Sequence, residues 1–285
     1  MLYVKVNATS ANVCVGFDVL GLALNLNNTF SFEKSNEFSF WGFEDKYCFK
    51  ETNLVYQAYV KVFEYTNTKP IAVKIGFSGE IPVSRGLGSS SSLIVAGVFA
   101  ANYMLNNRLS KEDLFNICCK IEGHPDNVAP AIYGGLVASF LVGDKYKAIS
   151  YEVNKDLKYI AIIPDTMVKT KDARMVLPDK LGYKDIVFNL SRIIHIPKAF
   201  KEGNILLLKE LFIDKLHEPY RKKLISCYDS VKAVCENEDV AFMISGSGST
   251  MLIICRDDKI NNKLKQLNLN TKILDIGQGV EIWEG

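Results

Sequence analysis

The feature that most constrains the fold is a glycine- and serine-rich stretch, RGLGSSSS at residues 85–92, that runs directly into an apolar segment from Leu93 to Leu105. If this segment is helical, it is apolar nearly all round, so it must be buried on most sides. Gly97 within it would cost ~1 kcal/mol relative to alanine. Close packing against another backbone would be a reason to keep it, so we expect a central helix enclosed by other elements.

Length and composition indicate an ordinary globular protein. At about 150 residues per domain, 285 residues suggest two domains, and 48% hydrophobic with 23% charged residues is a typical balance. A net charge of +2 gives no support for a nucleic-acid partner. The longest nearly apolar run, Leu93 to Ala101, is about half of the ~20 residues that a membrane-spanning helix needs. We therefore expect neither nucleic acid nor a membrane as partner.

Cysteine and histidine usage indicates a reducing compartment and no zinc. The seven cysteines are scattered and form no CxxC pair, and only three histidines occur, without an HExxH motif. Reduced cysteines are typical of cytosolic proteins. Residues 1–6 alternate like a strand and lack a signal-peptide pattern. These observations predict a cytoplasmic protein.

The order of predicted elements divides the chain near residues 150–156, giving domains 1–155 and 156–285. A capping box from Ser110 to Asp113 predicts an amphipathic helix that ends near Glu122. The other elements of the first half are strands at 4–6, 29–32, 71–77 and 136–142 and helices at 53–64 and 93–105. The second half is predicted to hold strands at 157–163, 240–245, 251–255 and 271–276, helices at 186–200, 204–216 and 220–236, and a charged helix ending at 267.

The glycine-rich stretch has suitable chemistry for a triphosphate. Glycines let a backbone approach a ligand closely, and the first turn of a helix offers unpaired N–H groups and a positive dipole end. It is not a Walker A loop, because the lysine is missing, nor a Rossmann fingerprint, because the third glycine is missing. HRD and DFG elements are absent, which excludes a protein kinase. On these residues alone, a serine-capped helix after a flexible loop remains an alternative.

A second polar cluster follows the predicted capping-box helix. Glu122 sits at its C-terminal end, where a carboxylate faces the negative end of the helix dipole. His124, Asp126 and Asn127 then crowd polar groups into a turn. A carboxylate near a serine hydroxyl suits Mg²⁺, which phosphoryl transfer requires. The alternative for this segment is an Asx turn that caps the next short helix.

Two further pairs of residues are informative only in combination. Asn12 and Asp18 flank a glycine near the N-terminus and by themselves suggest a turn. Arg174 and Arg221 stand out in a lysine-rich chain, because arginine is the better bidentate clamp for a carboxylate or phosphate. Surface solvation is the alternative for each arginine.

Taken together, these segments resemble the GHMP kinase superfamily and, within it, the homoserine kinase family. The opening strand and loop, the glycine-rich loop and a Gly-Ser-rich third motif match in the expected order along the whole chain. The features that point to homoserine kinases are the opening motif, EGHPDNVAP and HEPYR. The matching segments are residues 7–21, 81–92, 122–130, 217–221 and 242–250. Departures from the family pattern are Asn7, Ser91, Ser92 and Ser249, each small or polar.

The resemblance implies an α+β, two-domain GHMP kinase fold. The N-terminal domain would be ribosomal-protein-S5-domain-2-like with a left-handed βαβ unit, which is rare, and the C-terminal domain would be ferredoxin-like. The implied reaction is ATP- and Mg²⁺-dependent phosphorylation of the L-homoserine hydroxyl, giving O-phospho-L-homoserine in threonine biosynthesis. The family also suggests a homodimer.

The resemblance also implies roles for individual residues. Asp18 would pair with the substrate ammonium and Asn12 with the region of its hydroxyl, while Arg174 and Arg221 would clamp its carboxylate. Mg²⁺ would be held by Ser90 and Glu122, although Asn116 stands where some relatives carry the glutamate. His124, Asp126, Asn127 and Thr170 would line the amino-acid pocket, and Asn53, Leu54 and Val55 the adenine side. The phosphates would be held by Pro82, Val83, Ser84, Arg85, Gly86, Leu87, Gly88, Ser89, Ser90, Ser91 and Ser92.

The resemblance also implies that no aspartate base acts here, since homoserine kinases lack one, and that Asn127 would occupy its position. The implied catalysis uses Asn127, Asp126, Ser90 and Glu122 to position groups and to stabilise charge. The alternatives are a mevalonate-type GHMP kinase, whose substrate has no ammonium group, and a catalytically inactive member that only binds a ligand.

Overall fold

The computed structural model describes all residues from 1 to 285, and its strands form two separate sheets. The first sheet contains β1 (Leu2–Ser10), β2 (Leu20–Lys34), β3 (Ser39–Trp41), β4 (Val73–Gly79), β5 (Leu136–Val142), β6 (Lys145–Tyr151) and β11 (Glu281–Glu284). The second contains β7 (Lys158–Ile162), β8 (Ala241–Ile244), β9 (Met251–Cys255) and β10 (Thr271–Leu274).

Eleven α-helices accompany the two sheets. The first half holds α1 (Leu54–Tyr65), α2 (Ser89–Met104), α3 (Lys111–Glu122) and α4 (Val128–Tyr133). The second half holds α5 (Thr170–Met175), α6 (Tyr183–Ile193), α7 (Ile196–Glu202), α8 (Ile205–Leu211), α9 (Glu218–Arg221), α10 (Tyr228–Glu236) and α11 (Ile260–Lys265). Short 3-10 turns lie at Asp45–Tyr47 and Lys222–Leu224. None of these helices is both long and apolar enough to cross a bilayer.

The first sheet has the order β11-β1-β2-β4-β3, with β5 also pairing with β2 and β6 extending from β5. All its pairs are antiparallel except β3 with β4. Because α1 connects these two parallel strands, β3, α1 and β4 form a βαβ unit. The left-handedness of the unit stays a prediction.

Helix α2 lies at the centre of the first half, as its sequence predicts. Thirteen of its 16 residues are buried, and it packs on α1, α3, α4 and β1. A Cβ on Gly97 would lie 2.3 Å from the Val55 carbonyl oxygen and 2.9 Å from the Tyr59 nitrogen. The glycine therefore allows α1 and α2 to approach backbone to backbone, which confirms the expected reason for it.

The second sheet has the order β10-β7-β9-β8, and every pair is antiparallel. Along the chain this unit consists of a strand, helices, two strands, a helix and a strand. Its first strand, β7, lies between its last strand, β10, and its third strand, β9. That is the ferredoxin-like arrangement, so the predicted α+β fold is confirmed. The buried apolar side chains form three cores, and the third, with 13 buried residues, includes residues of α10 and α11.

The three long helices predicted at 186–200, 204–216 and 220–236 are wrong in their boundaries. The segment contains five shorter helices, α6 to α10. Prolines at the N-terminal turns of α7 and α9 start new helices there. Ile225 is extended and buried in the third core, so the chain cannot stay helical between α9 and α10.

The end of the chain departs from the predicted arrangement. Strand β11 was not expected, and it pairs with β1 in the first sheet, matching Leu2 with Glu284 and Lys5 with Glu281. Residues of the predicted second domain, 156–285, therefore contribute a strand to the first sheet. The division at 155/156 itself stays a prediction.

Candidate active site

A cleft of about 400 Å³ collects residues from both halves of the chain. This volume is in the usual range for small-molecule sites. The elements that meet there are the β1–β2 loop, the N-terminus of α2, the α3–α4 turn, α5, α9 and the β8–β9 loop. The predicted site residues on its wall are Asn12, Asp18, Asn53, Leu54, Val83, Ser84, Arg85, Gly86, Gly88, Ser89, Ser90, Glu122, His124, Asp126, Asn127, Thr170, Arg174 and Arg221.

The glycine-rich loop (residues 82–92) needs its glycines for contacts with other backbone segments. Gly86 and Gly88 have φ values of +75° and +69°, a region that favours glycine. A Cβ on Gly86 would lie 2.2 Å from the Ser245 carbonyl oxygen, and a Cβ on Gly88 would lie 2.0 Å from Thr9 Oγ1. The loop is therefore pressed between β1 and the β8–β9 loop.

Hydrogen bonds hold this loop in place from the far end of the sequence. Ser245 Oγ donates to the Gly86 carbonyl (2.7 Å), and the Thr250 N–H donates to the Arg85 carbonyl (3.1 Å). The Arg85 side chain donates to the Pro164 carbonyl (2.9 Å), so it ties down a neighbouring segment. The loop is thus held on a fixed support next to the N-terminus of α2, which supplies unpaired N–H groups and a positive dipole end.

Ser90 and Glu122 come together at the N-terminus of α2. Ser90 Oγ donates to Glu122 Oε2 and Ser91 Oγ donates to Glu122 Oε1, each at 2.8 Å. A carboxylate and a hydroxyl oxygen on one cleft wall are ligands that Mg²⁺ accepts. Asn116 lies elsewhere, bonded to the backbone of Tyr146, so it does not contribute to this pair.

The α3–α4 turn places three polar side chains on the cleft. His124 Nδ1 lies 2.9 Å from Asp126 Oδ1, and Asp126 is only 1% exposed. Burial lowers the pKa of His124, but the hydrogen bond and the charge of Asp126 outweigh it, so the pKa is raised. Asn127 Oδ1 accepts a hydrogen bond from Thr9 Oγ1 (2.8 Å). Thr9 therefore fixes the orientation of the Asn127 amide beside Gly88.

Asp18 and Arg174 form a bidentate ion pair across the cleft. Arg174 Nη1 donates to Asp18 Oδ2 (3.0 Å) and Nη2 to Oδ1 (2.9 Å). The hydrogen bond to Asp18 raises the pKa of Arg174. Asn12 supports this geometry, because its Oδ1 accepts the Asp18 N–H (2.9 Å) and its Nδ2 donates to the Gly246 carbonyl (3.0 Å).

Arg221 is 2% exposed and reaches the cleft from α9. Its Nε donates to the Ala173 carbonyl (3.1 Å) and its Nη1 to the Gly246 carbonyl (3.0 Å). Burial, together with the charge of Arg174, lowers its pKa to about 10. Because Nη2 makes no hydrogen bond within the protein, the guanidinium keeps donors for a carboxylate.

Another part of the cleft wall is apolar. Phe43, Tyr47, Phe77 and Leu93 line it. Asn53 caps α1 there, accepting from the Tyr56 N–H and donating to the Tyr47 carbonyl. Its side chain thus orders the wall of the cleft.

Some predicted residues face away from the cleft, and some cleft residues were not predicted. The side chains of Val55, Leu87 and Ser92 are buried in the interior, and Pro82 and Ser91 are not part of the cleft wall. Sequence reasoning missed the apolar wall, Phe43, Tyr47, Phe77 and Leu93. It also missed Thr9, which is not part of the wall but bonds to Asn127. Thr9 lies within the opening motif, which was its only signal, whereas the apolar wall resembles core in the sequence.

The comparisons with known proteins agree with this geometry. The family model "GHMP kinases N terminal domain" matches residues 53–135. The fold and the cleft, with its glycine-rich loop at a helix N-terminus, define a GHMP kinase, so the resemblance is confirmed.

Homoserine kinase from Clostridium botulinum is 40% identical over 262 residues, covering 90% of this chain and 87% of that protein. Homoserine kinase from Clostridium acetobutylicum is 39% identical and covers 100% of this chain and 96% of that protein. The crystal structure of homoserine kinase from Cytophaga hutchinsonii has a TM-score of 0.87 at 26% identity, covering 99% of this chain and 97% of that one. The chain belongs to the homoserine kinase family.

Proposed function

We propose that this chain transfers the γ-phosphoryl group of ATP to the side-chain hydroxyl of L-homoserine, giving O-phospho-L-homoserine and ADP in threonine biosynthesis. The observation that carries the proposal is the bidentate pair of Arg174 and Asp18 in the cleft. An α-amino acid brings a carboxylate for the first partner and an ammonium for the second. Such a substrate replaces one strong ion pair with two, and Arg221 adds a second clamp for the carboxylate.

The nucleotide is assigned to the other part of the cleft. The apolar wall at Phe43, Tyr47 and Phe77 suits an aromatic base. The N-terminus of α2 and the glycine-rich loop suit the phosphates, because unpaired N–H groups point there. This arrangement directs the γ-phosphoryl group toward the Ser90–Glu122 pair and the amino-acid pocket.

Ser90 and Glu122 would hold Mg²⁺, which neutralises charge on the phosphates when bound. The fit is supported by the two serine hydroxyls that already meet both oxygens of this carboxylate. No group of three or more metal-ligating side chains is present, so the phosphates and water would supply the remaining ligands, as is usual for Mg²⁺.

The residues here favour transfer without a general base. Asp126 is buried and engaged with His124, and Asn127 is an amide with no basic oxygen, so neither offers a free carboxylate to the hydroxyl. The homoserine oxygen forms a bond to the γ-phosphorus as the bond to the β–γ bridging oxygen breaks, and its electron pair leaves with ADP. The hydroxyl proton passes to a γ-phosphoryl oxygen. Positioning and charge stabilisation then supply the acceleration.

An ADP-release assay with homoserine, serine, threonine and mevalonate tests this proposal. We expect Mg²⁺-dependent turnover with homoserine and none with mevalonate, which has no ammonium for Asp18. Turnover of mevalonate without turnover of homoserine would favour a mevalonate-type kinase. Binding of nucleotide without turnover of any substrate would favour an inactive binding member.

We also propose a cytoplasmic homodimer. Seven cysteines without a disulfide fit a reducing compartment. Helix α6 and the residue that follows it expose an apolar stripe at helical spacing. Its residues, Tyr183, Val187, Leu190 and Ile194, are 57–87% exposed, and such a stripe can pair with its own copy about a two-fold axis. Light scattering should give twice the mass of 31.9 kDa, and Leu190→Glu should shift it to monomer. A monomeric wild type at micromolar concentration would contradict the proposal.

A further inference from the structure

The Phe17 ring lies beside both arginines of the site. Its centroid is 5.1 Å from Arg221 Cζ and 5.9 Å from Arg174 Cζ. These distances are within the range of cation–π attraction. Phe17 is not part of the cleft wall, so it would reach a substrate only through the two guanidinium groups.

His217 holds the Phe17 ring from another side. The two rings are stacked, with centroids 5.3 Å apart and an interplanar angle of 28°. His217 is fully buried, and neither ring nitrogen makes a hydrogen bond. Asp214 Oδ2 is 3.9 Å from Nε2 and accepts the backbone N–H groups of residues 217 and 218 instead. The imidazole therefore contributes its face rather than its nitrogens.

The two guanidinium groups need such a support. They carry like charges and repel each other in a partly dry cleft, and both can donate to one carboxylate only if they stay close together. Arg221 is anchored by two carbonyls, but Arg174 is 40% exposed and is held by Asp18 alone. The Phe17 ring face attracts both cations. The residue next to Phe17 in the chain is Asp18, the ion-pair partner of Arg174.

We propose that Phe17, held by His217, is a positioning residue that keeps the guanidinium groups of Arg174 and Arg221 aligned for one carboxylate. The proposal deepens the proposed function and rests on it. It assigns a role to HEPYR beyond its arginine: the histidine at the start of this motif supports the ring through which the arginines are arranged.

Steady-state kinetics of Phe17→Leu test the proposal. Leucine fills similar space without a π face, so we expect the KM for homoserine to rise about five- to thirty-fold, with the KM for ATP unchanged. Phe17→Tyr keeps the aromatic face and should have the wild-type KM for homoserine. His217→Phe should keep it, because the histidine nitrogens are unused, whereas His217→Leu should raise it. Phe200→Leu, whose ring pairs with Phe212 and has no cation–π contact with either arginine, should lower the melting temperature without changing either KM.

Equal effects on both KM values, or a Phe17→Leu enzyme that only melts earlier, would overturn the proposal and leave Phe17 structural. If wild type turns over no homoserine, the proposed function fails first. The contact between the Phe17 ring and the Arg174 guanidinium is then measured without substrate. The measurement is the coupling free energy from a double-mutant cycle of Phe17→Leu and Arg174→Met in urea unfolding. We expect a nonzero coupling free energy. Additive effects would show that the two side chains do not interact, which would overturn the proposal.

Discussion

The Ser90 hydroxyl lies 2.8 Å from the Glu122 carboxylate, although 32 residues separate them. The contact joins the N-terminus of α2 to the C-terminus of α3. A carboxylate at the last residue of a helix faces the negative end of the dipole, which is unfavourable. Two serine hydroxyls at the positive end of another helix offset that cost, so the glutamate is held at the place where Mg²⁺ would need it.

Ser90→Ala and Glu122→Gln should each weaken the use of Mg-ATP. Each removes one oxygen ligand or its charge, and a charge-assisted interaction of ~1.5–3 kcal/mol corresponds to a roughly ten- to hundredfold lower kcat/KM at limiting Mg²⁺. Titration of Mg²⁺ at fixed ATP measures this, with Ser191→Ala on exposed α6 as control. Wild-type turnover of Glu122→Gln at limiting Mg²⁺ would show that the glutamate is structural.

Arg174→Ala and Arg221→Met should damage homoserine recognition and leave nucleotide binding nearly unchanged. Loss of a charge-assisted donor at each position should lower kcat/KM for homoserine by roughly ten- to several-hundredfold. Lysine should rescue only in part, because it lacks the planar fork. Homoserine kinetics and nucleotide titration are measured on each variant, with Arg256→Ala, bonded to the distant Gly203 carbonyl, as control. A matching loss of nucleotide affinity would reassign the arginines to the phosphates.

Gly97→Ala should destabilise the fold although alanine is the better helix former. The added Cβ would lie 2.3 Å from the Val55 carbonyl oxygen, so α1 and α2 must separate. This should exceed the ~1 kcal/mol that alanine gains within a helix, and urea unfolding measures the difference. Gly182→Ala, where a Cβ meets nothing within 4 Å, should change stability little. A more stable Gly97→Ala protein would contradict the backbone contact.

Glu218 should make stability fall as the pH rises toward 8. Burial raises its pKa from 4.5 to about 8, so between these values the folded state binds a proton that the unfolded state does not. The stabilisation is complete below pH 4.5 and is lost through pH 8, at up to about 1.4 kcal/mol per pH unit. Glu218→Gln keeps an acceptor for the Ile244 N–H and should flatten this slope in urea unfolding at pH 5 to 8. Exposed Glu236→Gln should not.

Local patterns in the sequence predicted the parts of the fold that depend on local physics. The capping box of Ser110 and Asp113 is present with both reciprocal hydrogen bonds, and the all-apolar segment after the glycine-rich loop is the buried helix α2. Strand β11 gave no signal, because its four residues are all exposed and its pairing with β1 supplies the stability. An edge strand of this kind has no apolar alternation to detect.

The site could be predicted only as a set of residues, not as a geometry. Asn12 was expected near the substrate hydroxyl, yet both polar atoms of its amide are bonded to protein groups. Its Gly246 partner lies 234 residues away, a contact that no local pattern encodes. The same applies to Phe17, whose neighbours Arg174, His217 and Arg221 come from the other half of the chain.

The hydrogen bonds from the β8–β9 loop to the glycine-rich loop limit how such a gene can recombine. A crossover at codon 155 would leave every motif intact in sequence, yet it would unite the Gly86 and Arg85 carbonyls of one parent with the Ser245 hydroxyl and Thr250 N–H of another. Three of these four groups are backbone atoms, so chimeras between relatives should keep the contacts only when the parent of the second half carries a hydroxyl at position 245.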